Sequence, residues 1–128
     1  MSIKQLQKAI RQNEGYILSD GTLNLQHLLP KAYDLIITYN MQSKAVKDIL
    51  QGIKEVFKDE DPTFIKQYYS KIELDNNNSE TMEQAEYLWN EDIFNYFNNI
   101  SPNKYYFGCS EGDGACIGWF KYDENNMY

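Results

Sequence analysis

The chain is short of the residues on which most protein chemistry depends. Among its 128 residues are one histidine, two cysteines, three prolines and a single arginine. Zinc needs more ligands than Cys109 and Cys116 supply, and His27 lies far from both in sequence. A serine–histidine–aspartate arrangement would have to use His27, and no sequence feature sets a serine beside it. A P-loop, a Gly-x-Gly-x-x-Gly opening a helix, a nucleophile elbow and an HExxH helix are all missing. No apolar run approaches the ~20 residues of a membrane span, and residues 1–6 are amphipathic with no secretory core. These absences lead to the expectation of a cytoplasmic protein that is not an enzyme, carries no cofactor or metal and does not act at a membrane.

What is present is aromatic and acidic. Hydrophobic residues make up 42% and aromatics 15%, with 11 Tyr, 6 Phe and 2 Trp, so one domain has enough apolar area for a core built largely from rings. The net charge of −7 is unevenly shared. Residues 1–58 carry eight basic side chains against five acidic ones (+3), and residues 59–128 carry four against fourteen (−10). A half with that charge repels nucleic acid backbones and attracts basic surfaces. The expected partner is therefore a host protein with a basic surface, such as a nuclease, rather than nucleic acid itself. The plainer reading is a solubilising surface. Lysine outnumbers arginine and asparagine is abundant, a bias of AT-rich codons that suggests a low-GC bacterium or one of its phages.

Apolar spacing lays out the elements. Ile3, Leu6 and Ile10 predict a helix capped by Ser2. Tyr16-Ile17-Leu18 reads as a short extended piece. Leu25 to Tyr39 has helical periodicity interrupted by Pro30, which lacks an N–H; a helix starting with Pro30 in its first turn is the favoured reading, a kinked helix the other. Ser43 caps a third helix through Phe57, whose lysines Lys44, Lys47, Lys54 and Lys58 form a solvated face. Phe64, Ile65, Tyr68, Tyr69 and Ile72 predict a fourth, and residues 75–78 a loop. Ser79 caps a helix over 80–99 with an apolar stripe through Met82, Ala85, Trp89, Ile93, Tyr96 or Phe97, and Ile100. Glu80 and Glu83 in its first turn suit the positive helix terminus. The expected fold class is α+β, mostly α: four to five helices with a small C-terminal β-hairpin. It forms a single domain over 1–128, helical to residue 100, with the aromatic hairpin at 104–122.

That hairpin is the most distinctive stretch. Two aromatic runs flank a glycine-rich acidic tip. With Gly112-Asp113 as the loop, Cys109 faces Cys116, Tyr106 faces Trp119 and Tyr105 faces Phe120; with Asp113-Gly114, Cys109 faces Gly118. The cysteines are read first as two half-buried thiols, with a cross-strand disulfide or metal ligation as alternatives. Glu111 and Asp113 are read as solvated turn residues or as a partner-contacting tip. They do not form the cleft a glycosidase needs.

The run Tyr-Tyr-Phe-Gly-x-x-Glu-Gly-Asp-Gly-Ala of residues 105–115 ends in Gly118-Trp119-Phe120 and follows Phe94-Asn95-Tyr96-Phe97. It resembles the C-terminal signature of small acidic proteins of phages and mobile elements in low-GC Gram-positive bacteria, over about residues 87–121. The resemblance implies no catalytic residues; it implies the genomic company of anti-defence factors and small regulators. The expected function is an acidic protein-binding module of that origin. It would inhibit a host nucleic-acid-binding defence protein, of the kind met by anti-CRISPR or anti-restriction factors, by occupying its basic surface. The expected contacts are Glu80, Glu83, Glu86, Glu91, Asp92, Tyr105, Tyr106, Glu111, Asp113 and Trp119. The alternative is a small structural domain, a homo-oligomer formed through the aromatic hairpin. A small enzyme using Glu111 or Asp113 would need a deep polar cleft there.

Overall fold

A computed structural model of the chain describes residues 2–57, 79–110 and 112–122. The fold is α+β and mostly helical. Helix α1 spans Ile3–Gln12, and Ser2 opens it with a reciprocal cap: Ser2 Oγ accepts from the Gln5 N–H at 3.3 Å, and Gln5 Oε1 accepts from the Ser2 N–H at 2.6 Å. Strand β1, Gly15–Ser19, follows directly. Helix α3, Lys44–Val56, starts on Ser43 as its spacing predicts and buries Val46, Ile49, Ile53 and Val56. The fourth helix expected around Phe64–Ile72, the 75–78 loop, the Ser79 side chain and Glu111 lie outside the described residues.

Helix α2, Leu25–Thr38, corrects the favoured reading of its segment. It begins five residues before Pro30, capped by Asn24 Oδ1 accepting from the Gln26 N–H at 2.9 Å, and Pro30 sits inside it. An interior proline costs about 3 kcal/mol. Continuing the helix buries Leu28 and Leu29 (1% and 0% exposed), and each buried leucine returns about 1.5–3 kcal/mol. The leucines outweigh the lost hydrogen bond.

Residues 79–99 form one continuous helical rod in three parts: α4 (Ser79–Tyr87), a π-helical stretch (Leu88–Ile93) and α5 (Phe94–Asn99). The cause is legible in the spacing. Ala85, Trp89, Ile93 and Phe97 recur every fourth residue and all are buried. In an ideal α-helix each four-residue step drifts by about 40°, so a straight α-helix would turn Phe97 well away from Ala85. Widening one turn to i→i+5 bonding removes the drift and keeps all four side chains on one face.

The sheet has three antiparallel strands, β1, β3 (Asp113–Lys121) and β2 (Tyr105–Ser110), in the order β1-β3-β2. The extended piece at Tyr16 is thus a full member of the sheet, so the expected two-stranded hairpin becomes a three-stranded sheet. Neither expected hairpin register forms. Tyr106 opposes Phe120, Phe107 opposes Trp119, Cys109 opposes Ile117, and the last pair is Ser110–Asp113. Three β3 residues, Gly114 to Cys116, have no counterpart on β2 and form a bulge. The Asp113 carboxylate shapes it by accepting from the Ala115 N–H at 3.0 Å. The bulge parts the two cysteines: Cys109 is an exposed free thiol and Cys116 a buried one. Burial, with Asp20 and Asp113 nearby, pushes the Cys116 thiol up, away from the reactive thiolate.

The core joins sheet and helices through rings. Phe107 lies edge-on to Phe94 and Phe97 at 5.0 Å and to Trp119 at 4.8 Å. The Trp119 indole N–H donates to Ser101 Oγ at 2.9 Å and to the Phe97 carbonyl at 3.2 Å, so the tryptophan satisfies one of the carbonyls left open at the end of α5. Gln7 of α1 donates to the Ile100 carbonyl at 2.8 Å, tying the first helix to the same end.

Strand β2 borders the sheet, and its middle is blocked. Asn98 Oδ1 accepts from the Phe107 N–H at 3.0 Å, while Asn98 Nδ2 donates to the Phe107 carbonyl at 3.1 Å and to the Phe94 carbonyl at 3.0 Å. One side-chain amide thus does what a neighbouring strand would do and guards the edge against pairing with another chain. Asn98→Ala, which leaves the Phe107 backbone pair without this partner, should cost about 1–3 kcal/mol. Urea melts check the cost, and hydrogen exchange at the Phe107 amide should accelerate before the neighbouring β3 amides do.

Candidate partner-binding surface

The π stretch that aligns the core face also aligns the opposite one. Glu83, Tyr87, Glu91 and Asn95 recur every fourth residue and all are exposed, as are Glu80, Glu86 and Asp92. Between residues 79 and 99 there is no lysine or arginine. The carboxylates from Glu80 to Asp92 occupy twelve residue steps, about 18 Å of helix, or roughly one charge per 4 Å; one strand of duplex DNA carries one per ~3.4 Å. The exposed half of this rod therefore has a linear charge density close to that of a single nucleic acid strand.

Between this rod and α3 runs a groove of about 330 Å³. One wall is Asp92, Asn95, Tyr96 and Asn99, at helical spacings of three, four and seven; the other is Ala45, Asp48 and Ile49, at three and four. Sequence reading singled out Asp92 and passed over Asp48, Asn95 and Asn99. The matched spacings on two helices were the available signal, but they have meaning only once those helices are known to lie side by side.

The hairpin residues divide. Tyr105 is half-buried and packs against the core. Tyr106 is half-buried on the other face of the sheet, its ring 6.0 Å from Phe120 and 5.1 Å from Tyr122. Asp113 is exposed at the tip, its carboxylate used in the bulge. Trp119 is 0% exposed, which corrects the expectation that it anchors a partner: its ring packs against Tyr16, Phe97 and Phe107, and its N–H is taken by Ser101 and the Phe97 carbonyl.

A second groove, of about 230 Å³, lies between β1 and α2, lined by Tyr16, Lys31, Asp34 and Thr38 among others. Beside it Lys31 Nζ donates to Ser19 Oγ at 3.0 Å. Ser19 is 2% exposed, so the pair ties β1 to α2 and offers no hydroxyl to a substrate. Burial, then Tyr39 and Asp34, raise the Tyr16 phenol above its ordinary value. Among the described residues no three His, Cys, Asp or Glu side chains converge as metal ligands, and no helix is long and apolar enough to cross a membrane. No protein family, curated protein or solved structure matches the chain.

Proposed function

We propose that this chain is a protein-binding module of phage or mobile-element origin. It acts by laying the carboxylate face of residues 79–99 on a basic, nucleic-acid-binding surface of a host defence protein, such as a restriction or CRISPR nuclease. The observation that carries the reading is that basic-free face, with its near-strand charge density along one continuous helical rod. An acidic helix that is already formed needs little ordering on binding, so more of its electrostatic attraction survives as affinity and association rate.

The test is a variant with Glu80, Glu83, Glu86, Glu91 and Asp92 replaced by Gln or Asn. These side chains are exposed, so its thermal melt should stay within a few degrees of the native one. Capture of a basic host protein should fall at least about tenfold. Capture at native strength by a folded variant contradicts the reading.

One observation favours self-association instead. The outer sheet face presents Tyr106 and Phe120 beside Ile17, 55% exposed, and Tyr122, 45% exposed. Asn98 blocks the β2 edge at Phe107, so such a dimer would use the face. Under this reading the mass measured by sedimentation rises with concentration, and Ile17→Ser with Tyr122→Ser abolishes the rise. A monomer at every concentration removes it.

A further inference from the structure

We infer that the groove between α3 and the 79–99 rod is a seat for one arginine side chain of the partner; the inference rests on the proposed acidic-face reading and gives that face its specific anchor. The groove is lined by Asp48 and Asp92 from opposite walls, with Asn95, Tyr96 and Asn99 on the wall of Asp92 and the buried Ile49 on that of Asp48. No lysine or arginine among the described residues lines it. Among the described residues, none hydrogen-bonds or ion-pairs with the side chains of Asp48, Asp92, Asn95 or Asn99. Two carboxylates and two carboxamides thus face one concavity with their hydrogen-bonding capacity unspent. The remaining helix carboxylates stand on a convex surface, where partner contacts stay solvated and contribute little each.

The chemistry selects arginine over lysine. A guanidinium is a planar fork of five N–H donors that bonds carboxylates pairwise and stacks on rings. Acceptors on opposite walls suit a fork better than the point charge of an ammonium, and the Tyr96 ring offers the flat guanidinium a face. The apolar lining residues Ile49 and Ala45 suit the methylene stem. A volume of about 330 Å³ is at the small end of ligand sites and has room for one long side chain. The π stretch contributes directly, because the widened turn sets where Asp92 stands relative to Asn95 and Asn99.

The experiment titrates the isotope-labelled full chain with hexa-arginine and, separately, hexa-lysine, following the Asn95 and Asn99 side-chain amide signals and the Ala45–Ile49 backbone. Arginine should shift these signals saturably and bind at least about tenfold tighter than lysine, and D48N/D92N should weaken it by at least about tenfold. Glu80→Gln with Glu83→Gln removes the same charge outside the groove and should cost less than about threefold. Equal binding of the two peptides, equal losses from the two double variants, or no shift of the groove signals overturns the inference. The two failures are separable. If a basic host protein is captured through the five helix carboxylates while hexa-arginine leaves the groove signals unmoved, the seat is wrong and the acidic-face reading stands. Arginine in the groove with no such capture leaves the seat and removes the proposed target.

Discussion

Gly118→Ala is expected to lower the melting temperature by about 10–15 °C. The position is paired on both sides, with Gly108 of β2 and Ile17 of β1. An ideal Cβ there would overlap the Tyr16 carbonyl oxygen and lie 2.8 Å from Ile17 Cα and 3.0 Å from Leu18 N. All three are backbone atoms, so no rotamer change relieves the clash and β1 itself must move. Overpacking of this kind costs about 3 kcal/mol. Gly114→Ala is the control: nothing lies within 4 Å of its Cβ, and stability should stay within about 0.5 kcal/mol. Because β1 also contacts α1 and α2, its displacement should speed exchange at the Tyr16–Leu18 amides and disturb both helices.

Trp119→Ala should be costlier still, about 4–5 kcal/mol against a total stability that for most domains is 5–15 kcal/mol. The indole fills the junction of sheet and helices, with ring centroids 4.8 Å from Phe107 and 5.3 Å from Phe97, and Tyr16 edge-on at 6.0 Å. Its N–H is also the partner of Ser101 Oγ and the Phe97 carbonyl. Trp119→Phe keeps most of the packing and loses the donor, and should cost about 1–2 kcal/mol. The pair of variants separates ring from N–H in one denaturation series. Loss of partner binding with an unchanged melt would return Trp119 to the surface role that its burial argues against.

How far the chain could be read in advance depends on how local each feature is. Ser2 and Ser43 cap helices because a hydroxyl and an N–H three residues on are close whatever the rest of the chain does. The stripe through Ala85, Trp89 and Ile93 was equally legible, but Tyr96 and Phe97 both continued it; the strict four-residue repeat, and with it the π stretch, shows only once Phe97 is seen to be the buried ring. Pro30 misled because its local cost is plain while its compensation, burial of Leu28 and Leu29, belongs to tertiary packing. The pairing of Tyr16 with Trp119 spans about a hundred residues and leaves no local trace. The hairpin register failed on one side chain: the Asp113 carboxylate turns toward the Ala115 N–H and inserts a bulge that a two-residue turn template does not contain. On the surface, the helix carboxylates were readable because exposed charge follows helical periodicity. Asp48 was not, since its relevance comes from the helix lying beside its own.

The acidic rod is proposed to engage a basic surface otherwise used by nucleic acid. The most direct test is capture from a lysate of a low-GC Gram-positive bacterium, washed through a salt series with and without competitor DNA. The predicted result is a nucleic-acid-handling protein that leaves as salt rises and is displaced by DNA. Recovery of only further copies of the chain, or of a partner held unchanged through high salt and excess DNA, would contradict the proposal.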